Sequence, residues 1–205
     1  MSDSKIGLIL FFSDNTLCGP YGAVDSLAPR ESIRRFLVAA LDAQVLPLVG
    51  VMHYQPLVGM RYWLLDEHMD GHNRMPTAEG ERERVAKMIE GLPLNGSVYT
   101  NYAWAYLNAQ VRRWGSVPHE FAGSPDWSRT RRPPHPGLIE DQLNHFNVRD
   151  CDRDQVLVVG RSDAELAAAK KLGVRAVRPL VFEQVDPYQL LERFVGASMQ
   201  LSLPF

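Results

Sequence analysis

Cysteine is scarce in this chain of 205 residues. Cys18 and Cys151 lie far apart and form no CxxC pair, so neither a disulfide framework nor a cysteine-based zinc site is expected, and both thiols are read as free. A surplus of positive charge is also missing. Lys and Arg total 22 against 24 Asp and Glu, for a formal net charge of -2, and the sequence pI is near 6.3. That balance removes the basis for a strong electrostatic hold on nucleic acid or on an anionic membrane, leaving only local basic patches. Nor is there an apolar run approaching the roughly 20 residues that a membrane-spanning helix needs. The start, Met1-Ser2-Asp3-Ser4-Lys5, lacks the basic and apolar regions of a secretory signal. These absences predict a cytoplasmic protein without membrane contact.

What is present is ordinary globular material, 45% hydrophobic, in a length that supports one domain with a substantial core. Lys5 to Phe12 is nearly continuous in apolar residues, the mark of a strand buried on both faces of a parallel sheet. Pro29-Arg30-Glu31 starts a helix carrying Ile33, Phe36, Leu37, Ala40 and Leu41 at helical spacing. Val45 to Val51 then reads as a second strand, completing a βαβ unit.

Met52 to about Met75 is irregular, and Thr77 caps a helix that runs through Glu90 and stops at Gly91. Ser97 to Trp114 is aromatic and open to either a helix or a strand reading. Pro118 to Pro136 is a long proline-rich loop. Further on, the pattern predicts a helix near Leu138 to Phe146 and a strand at Gln155 to Val159. A helix at Asp163 to about Lys171, a strand at Val174 to Leu180 and a helix from Asp186-Pro187 to Val195 follow. Strands alternating with helices in this way imply an α/β fold with a mostly parallel sheet and helices on both faces. In such sheets ligands bind at the carboxyl ends of the strands, where Asp14, His53 and Arg161 fall.

Against that architecture, "FFSDNTL" after the first strand and Val158-Val159-Gly160-Arg161-Ser162-Asp163 near the end of the chain resemble the haloacid dehalogenase (HAD) superfamily. The resemblance runs from about Gly7 to Val177. It is closest to the sugar-phosphate and histidinol-phosphate phosphatases and to polynucleotide 3′-phosphatases, and it implies a HAD-like Rossmannoid domain over residues 1–196 with little or no cap. The family's chemistry needs an aspartate nucleophile, a hydroxyl or amide donor, a lysine, and carboxylates for magnesium. Neutralising phosphoryl charge is most of that catalysis.

Set on the family's Asp-x-Asp-Gly-Thr-Leu motif, Asp14-Asn15-Thr16-Leu17 matches its end. Phe12 then stands at the nucleophile and Asp14 at the general acid/base. His53-Tyr54-Gln55-Pro56 resembles the second motif, with His53 at the threonine. Arg132-Pro133-Pro134-His135-Pro136-Gly137 resembles the third, with Pro133 at the lysine. In the fourth, Arg161 replaces a magnesium-binding aspartate and Glu165 lies beyond Ser162. The expected consequence is a pseudoenzyme without a metal or cofactor. An anion or phosphorylated ligand held by Arg161, Arg132 and Ser162 without turnover is a further idea, since guanidinium groups match phosphate oxygens well; the plainer reading pairs Arg161 with Asp14. The alternative is an atypical phosphatase with Asp14 as catalytic residue, acting on a sugar phosphate or a nucleic-acid end, and only then is magnesium expected.

Other clusters have plainer readings. Asp66 to His72, "DEHMDGH", gathers metal-type side chains, yet Gly71 and the charges read as a solvated loop. Tyr99, Tyr102, Trp104, Tyr106 and Trp114 beside Arg112 and Arg113 would suit base stacking, although aromatics at this density more often fill a core or an interface. Direct nucleic-acid contact is therefore left open. The basic "RTRRPPHP" stretch, Arg129 to Pro136, reads as a solvated loop.

Residues 197–205, "ASMQLSLPF", form a tail whose Leu201, Leu203 and Phe205 would expose apolar surface unless they dock. Gln200-Leu201-Ser202-Leu203-Pro204-Phe205 is similar to the peptide by which bacterial replication and repair proteins bind the sliding clamp. An extended segment of that kind gives the Gln200 amide to hydrogen bonds and places Leu201, Leu203 and Phe205 in an apolar groove. The resemblance implies a sliding clamp as partner, and other replication or repair proteins nearby. The alternative is that the tail packs on its own sheet or on a second copy.

Overall fold

The computed structural model describes residues 5–18, 29–54, 87, 89–94, 99–103 and 133–195, with backbone alone at 14, 15, 99–103 and 195. Five parallel strands form its centre: β1 (Leu8–Phe12), β2 (Leu48–Tyr54), β3 (Tyr99–Ala103), β4 (Val156–Val159) and β5 (Arg175–Val177). Their order across the sheet is β3-β2-β1-β4-β5. β1 pairs with β2 in the register Leu8 to Leu48 and Phe12 to Met52, and with β4 in the register Leu8 to Val156. The most apolar strand is therefore central, with every residue from Leu8 to Phe12 buried.

The alternation of side chains along these strands divides the core into two layers. Ile9, Phe11, Val49, Val51, Leu157 and Val159 face one side, against α1 (Glu31–Asp42), α4 (Leu180–Gln184) and α5 (Pro187–Val195). There Phe36 and Phe182 meet edge to face at 5.2 Å. Leu8, Leu10, Phe12, Met52, Val156 and Val158 face the other side, against α2 (Gly137–His145) and α3 (Asp163–Lys171). Helix α1 earns its place through Ile33, Phe36, Leu37 and Ala40, all buried at the predicted helical spacing. On α3 the buried residues facing the sheet are small, Ala168 and Ala169, which lets its axis lie close.

Several boundaries differ from the sequence reading, each for a local reason. β2 starts at Leu48 rather than Val45 and runs on to Tyr54. Pro47 has no N–H for the ladder, so pairing begins after it, and His53 is a strand residue rather than part of an irregular segment. β5 ends at Val177, and Leu180 opens α4 behind Pro179 instead of closing a strand. The undecided aromatic stretch contains β3, paired to β2 from Gly50 with Tyr99 to Tyr54 with Ala103. Gly91 takes φ +77°, a left-handed conformation suited to the expected helix stop; of the helix before it, only Lys87 and Ile89 lie among the described residues.

Gly50 is required by packing. A Cβ there would lie 2.2 Å from Gln142 Oε1 and 2.8 Å from Leu10 Cδ2. The missing side chain lets Gln142, buried on α2, donate to the Val51 carbonyl at 3.1 Å and so tie the helix to the middle of β2.

Candidate functional site

The chain moves outward from β1 to β2 and β3, then crosses back to β4 and β5 on the other side of β1. This reversal makes the crevice at the carboxyl ends of β1 and β4 the topological switch point, where sheets of this kind bind ligands. Four segments meet around it: the turn after β1, the end of β2, the Gly160–Ser162 bend after β4, and the first turn of α3.

The turn after β1 is a wide one over Ser13–Leu17, closed by the Cys18 N–H donating to the Ser13 carbonyl at 3.2 Å. Arg30 holds it from outside, donating through Nε to the Thr16 carbonyl at 2.9 Å and pairing with Glu183 at 3.0 Å. Inside, Ser13 Oγ and His53 Nδ1 lie 2.6 Å apart, both residues buried. A serine next to a histidine suggests a nucleophile and its base, but this pair is enclosed in protein and instead ties the end of β1 to β2. Thr16 is fully buried, and its Oγ1 has no hydrogen-bond partner among the described residues.

Phe12, at the resemblance's nucleophile position, is 1% exposed. It packs in the layer beneath α2 and α3 and meets Tyr54 edge to face at 5.8 Å. Gly160 lies against the same ring: a Cβ there would be 3.2 Å from Phe12 Cδ2 and 2.9 Å from Glu165 Cβ.

Glu165 is 3% exposed, and its carboxylate receives three donors. Oε2 accepts from the backbone N–H groups of Arg161 at 2.6 Å and Ser162 at 2.9 Å. Oε1 accepts from the Tyr54 hydroxyl at 2.7 Å. Ser162 Oγ in turn accepts from the Glu165 N–H at 3.2 Å, completing a capping box at the start of α3. The Arg161 side chain is exposed, while Arg178 donates to the Arg161 carbonyl and pairs with Asp163 at 2.5 Å.

The sequence-predicted residues are thus distributed unevenly. Ser162 and Arg161 lie at the crevice, Ser162 already engaged as a helix cap. The backbone of Asp14 lies in the turn after β1. Arg132, the 66–72 cluster, Trp104, Tyr106, Trp114 and the tail with Gln200, Leu201, Leu203 and Phe205 lie outside the described residues. Sequence reasoning missed Ser13 as the partner of His53, Tyr54 as the partner of Glu165, and Arg178 as the clamp on the Gly160–Asp163 bend. None of these left a local signal, whereas the pairing of Ser162 with Glu165 did: it is the S-x-x-E pattern of a capping box, visible without coordinates.

The fold resemblance implies magnesium at this crevice, and the described residues do not fit it. Magnesium takes hard oxygen ligands in near-octahedral array. On the register of that resemblance a buried phenyl ring and an exposed arginine fall at two of its carboxylate positions, and the oxygens of Glu165 are engaged by three donors. Among the described residues no three His, Cys, Asp or Glu side chains gather as a metal site, and no helix is long and apolar enough to cross a membrane.

No protein-family model matches the chain, and no curated protein matches it. Solved structures do. D,D-heptose 1,7-bisphosphate phosphatase from B. bronchiseptica, complexed with magnesium and phosphate, is 17% identical, with TM-score 0.44 over 83% of this chain and 79% of its own. A HAD-like phosphatase assigned in Mesorhizobium loti is 15% identical, with TM-score 0.51 over 83% of this chain and 70% of its own. The second likeness, together with the parallel sheet and its flanking helices, gives the chain the α/β fold of HAD-like phosphatases.

Proposed function

We propose that this chain is a binding or adaptor protein on a HAD-like phosphatase fold, in which the phosphoryl-transfer centre has become part of the core. The observation that carries this reading is Phe12. A ring buried under α2 and α3 at the end of β1 can neither attack phosphorus nor bind a metal, and no carboxylate replaces it among the described side chains. Arg161 and the engaged Glu165 support the same reading from the other side of the crevice.

Binding is assigned to the tail. Gln200, Leu201, Leu203 and Phe205 supply a hydrogen-bonding amide and three apolar anchors in the order that the sliding-clamp peptide uses, and a net charge of -2 suits a protein brought to DNA by a partner rather than by its own field. The test is a titration of the full chain, and of the chain lacking residues Met199 to Phe205, against a bacterial sliding clamp. Micromolar binding that disappears with the tail supports the assignment. Absence of binding in both forms overturns it.

The second reading is an atypical phosphatase using Asp14, magnesium-dependent and acting on a sugar phosphate or a nucleic-acid end. It draws on the fold likeness and on the Asp14 backbone, which stands in the turn at the carboxyl end of β1. The two readings separate on substitution. An adaptor keeps its function in Asp14→Asn and loses it when Gln200, Leu203 and Phe205 become alanine, and an enzyme does the reverse.

A further inference from the structure

We infer that Glu165, the buried carboxylate in the first turn of α3, acts here as a metal-independent strut that locks the switch-point crevice across β1. The inference rests on the non-catalytic reading of that crevice and adds what the retained carboxylate does.

The geometry has three parts. The first is the donor count. Oε2 takes two backbone N–H groups at the N-terminus of α3, at 2.6 and 2.9 Å, and Oε1 takes the Tyr54 hydroxyl at 2.7 Å. A carboxylate has about four lone-pair sites, and the two N–H donors also place the negative charge at the positive end of the helix. Moving Glu165 onto a cation would leave two N–H groups and a hydroxyl without their acceptor.

The second part is position. β2 and β4 flank β1, so a bond from Tyr54 at the end of β2 to the first turn of α3 after β4 spans the end of β1. Phe12 is the last residue of that strand, and its ring meets Tyr54 at 5.8 Å.

The third part is space. The position of a Cβ on Gly160 is 3.2 Å from both Glu165 Oε2 and Phe12 Cδ2, so carboxylate and ring close directly onto the backbone of the bend.

The experiment is thermal unfolding of the full chain, in millimolar Mg2+ and in EDTA at matched ionic strength, for the native chain, Glu165→Gln, Tyr54→Phe and the double variant. The strut predicts the same Tm with and without Mg2+. It predicts a fall of about 5 °C in Glu165→Gln, a smaller fall in Tyr54→Phe, and a double variant that loses less than the sum. If Glu165→Gln does not fold, Tyr54→Phe and the Mg2+ comparison carry the test. A saturable rise in Tm with Mg2+ that Glu165→Gln abolishes overturns the inference, even if no substrate is turned over. So does a Tm unmoved by both single substitutions. Failure of clamp binding leaves the strut untouched, so the two accounts fail separately.

Discussion

Phe12, the last residue of the central strand, shares the face of Leu8 and Leu10, and its ring packs in the layer beneath α2 and α3. Truncating such a ring removes buried apolar area and leaves a cavity, so Phe12→Ala is expected to lower stability by about 3–5 kcal/mol, measured by denaturant unfolding. Thr16 gives the opposite prediction. Its buried hydroxyl has no hydrogen-bond partner among the described residues, and Thr16→Val is expected to be neutral or stabilising by up to about 1 kcal/mol in the same assay. The burial of Phe12 was legible in the sequence, because the apolar run from Lys5 to Phe12 reads as a strand enclosed on both faces. The bond between Ser13 and His53 was not. It joins residues forty positions apart, and nothing in either neighbourhood marks them as partners before the strands are paired.

At the scale of elements, the turns at the crevice carry their own constraints. The capping box of Ser162 and Glu165 fixes the first turn of α3, and Ser162→Ala is expected to cost about 1 kcal/mol, read as a shift of the unfolding midpoint without a change in slope. Gly160 has a different constraint. A methyl group there meets Glu165 Cβ at 2.9 Å, so Gly160→Ala is expected to cost about 1–3 kcal/mol through overpacking, where the same change on an open surface would cost little. Strand and helix identities were readable wherever the apolar period was clean, as in β1, α1 and α3. Boundaries were not, where one residue decides them: Pro47 delays β2, and Pro179 ends β5 and starts α4. β3 stayed undecided because Tyr99 to Ala103 shows neither a clear alternation nor a helical period, and only its pairing with β2 makes it a strand.

The whole molecule has the α/β fold of HAD-like phosphatases. A mostly parallel sheet with helices on both faces follows from apolar runs alternating with amphipathic helices, and that much, with four of the five strands, was written in the sequence. What the crevice does follows from a handful of side chains at the carboxyl ends of the strands, since a fold does not by itself carry a function. The proposal of a non-catalytic crevice draws on a buried ring at Phe12, an exposed Arg161 and a Glu165 carboxylate engaged by three donors. The most direct test of that claim is hydrolysis of a simple aryl phosphate by the full chain in millimolar Mg2+, beside Asp14→Asn. The account predicts no release of phosphate above background, and no difference between the two proteins. Magnesium-dependent turnover that Asp14→Asn abolishes would contradict it and make the crevice an active site after all.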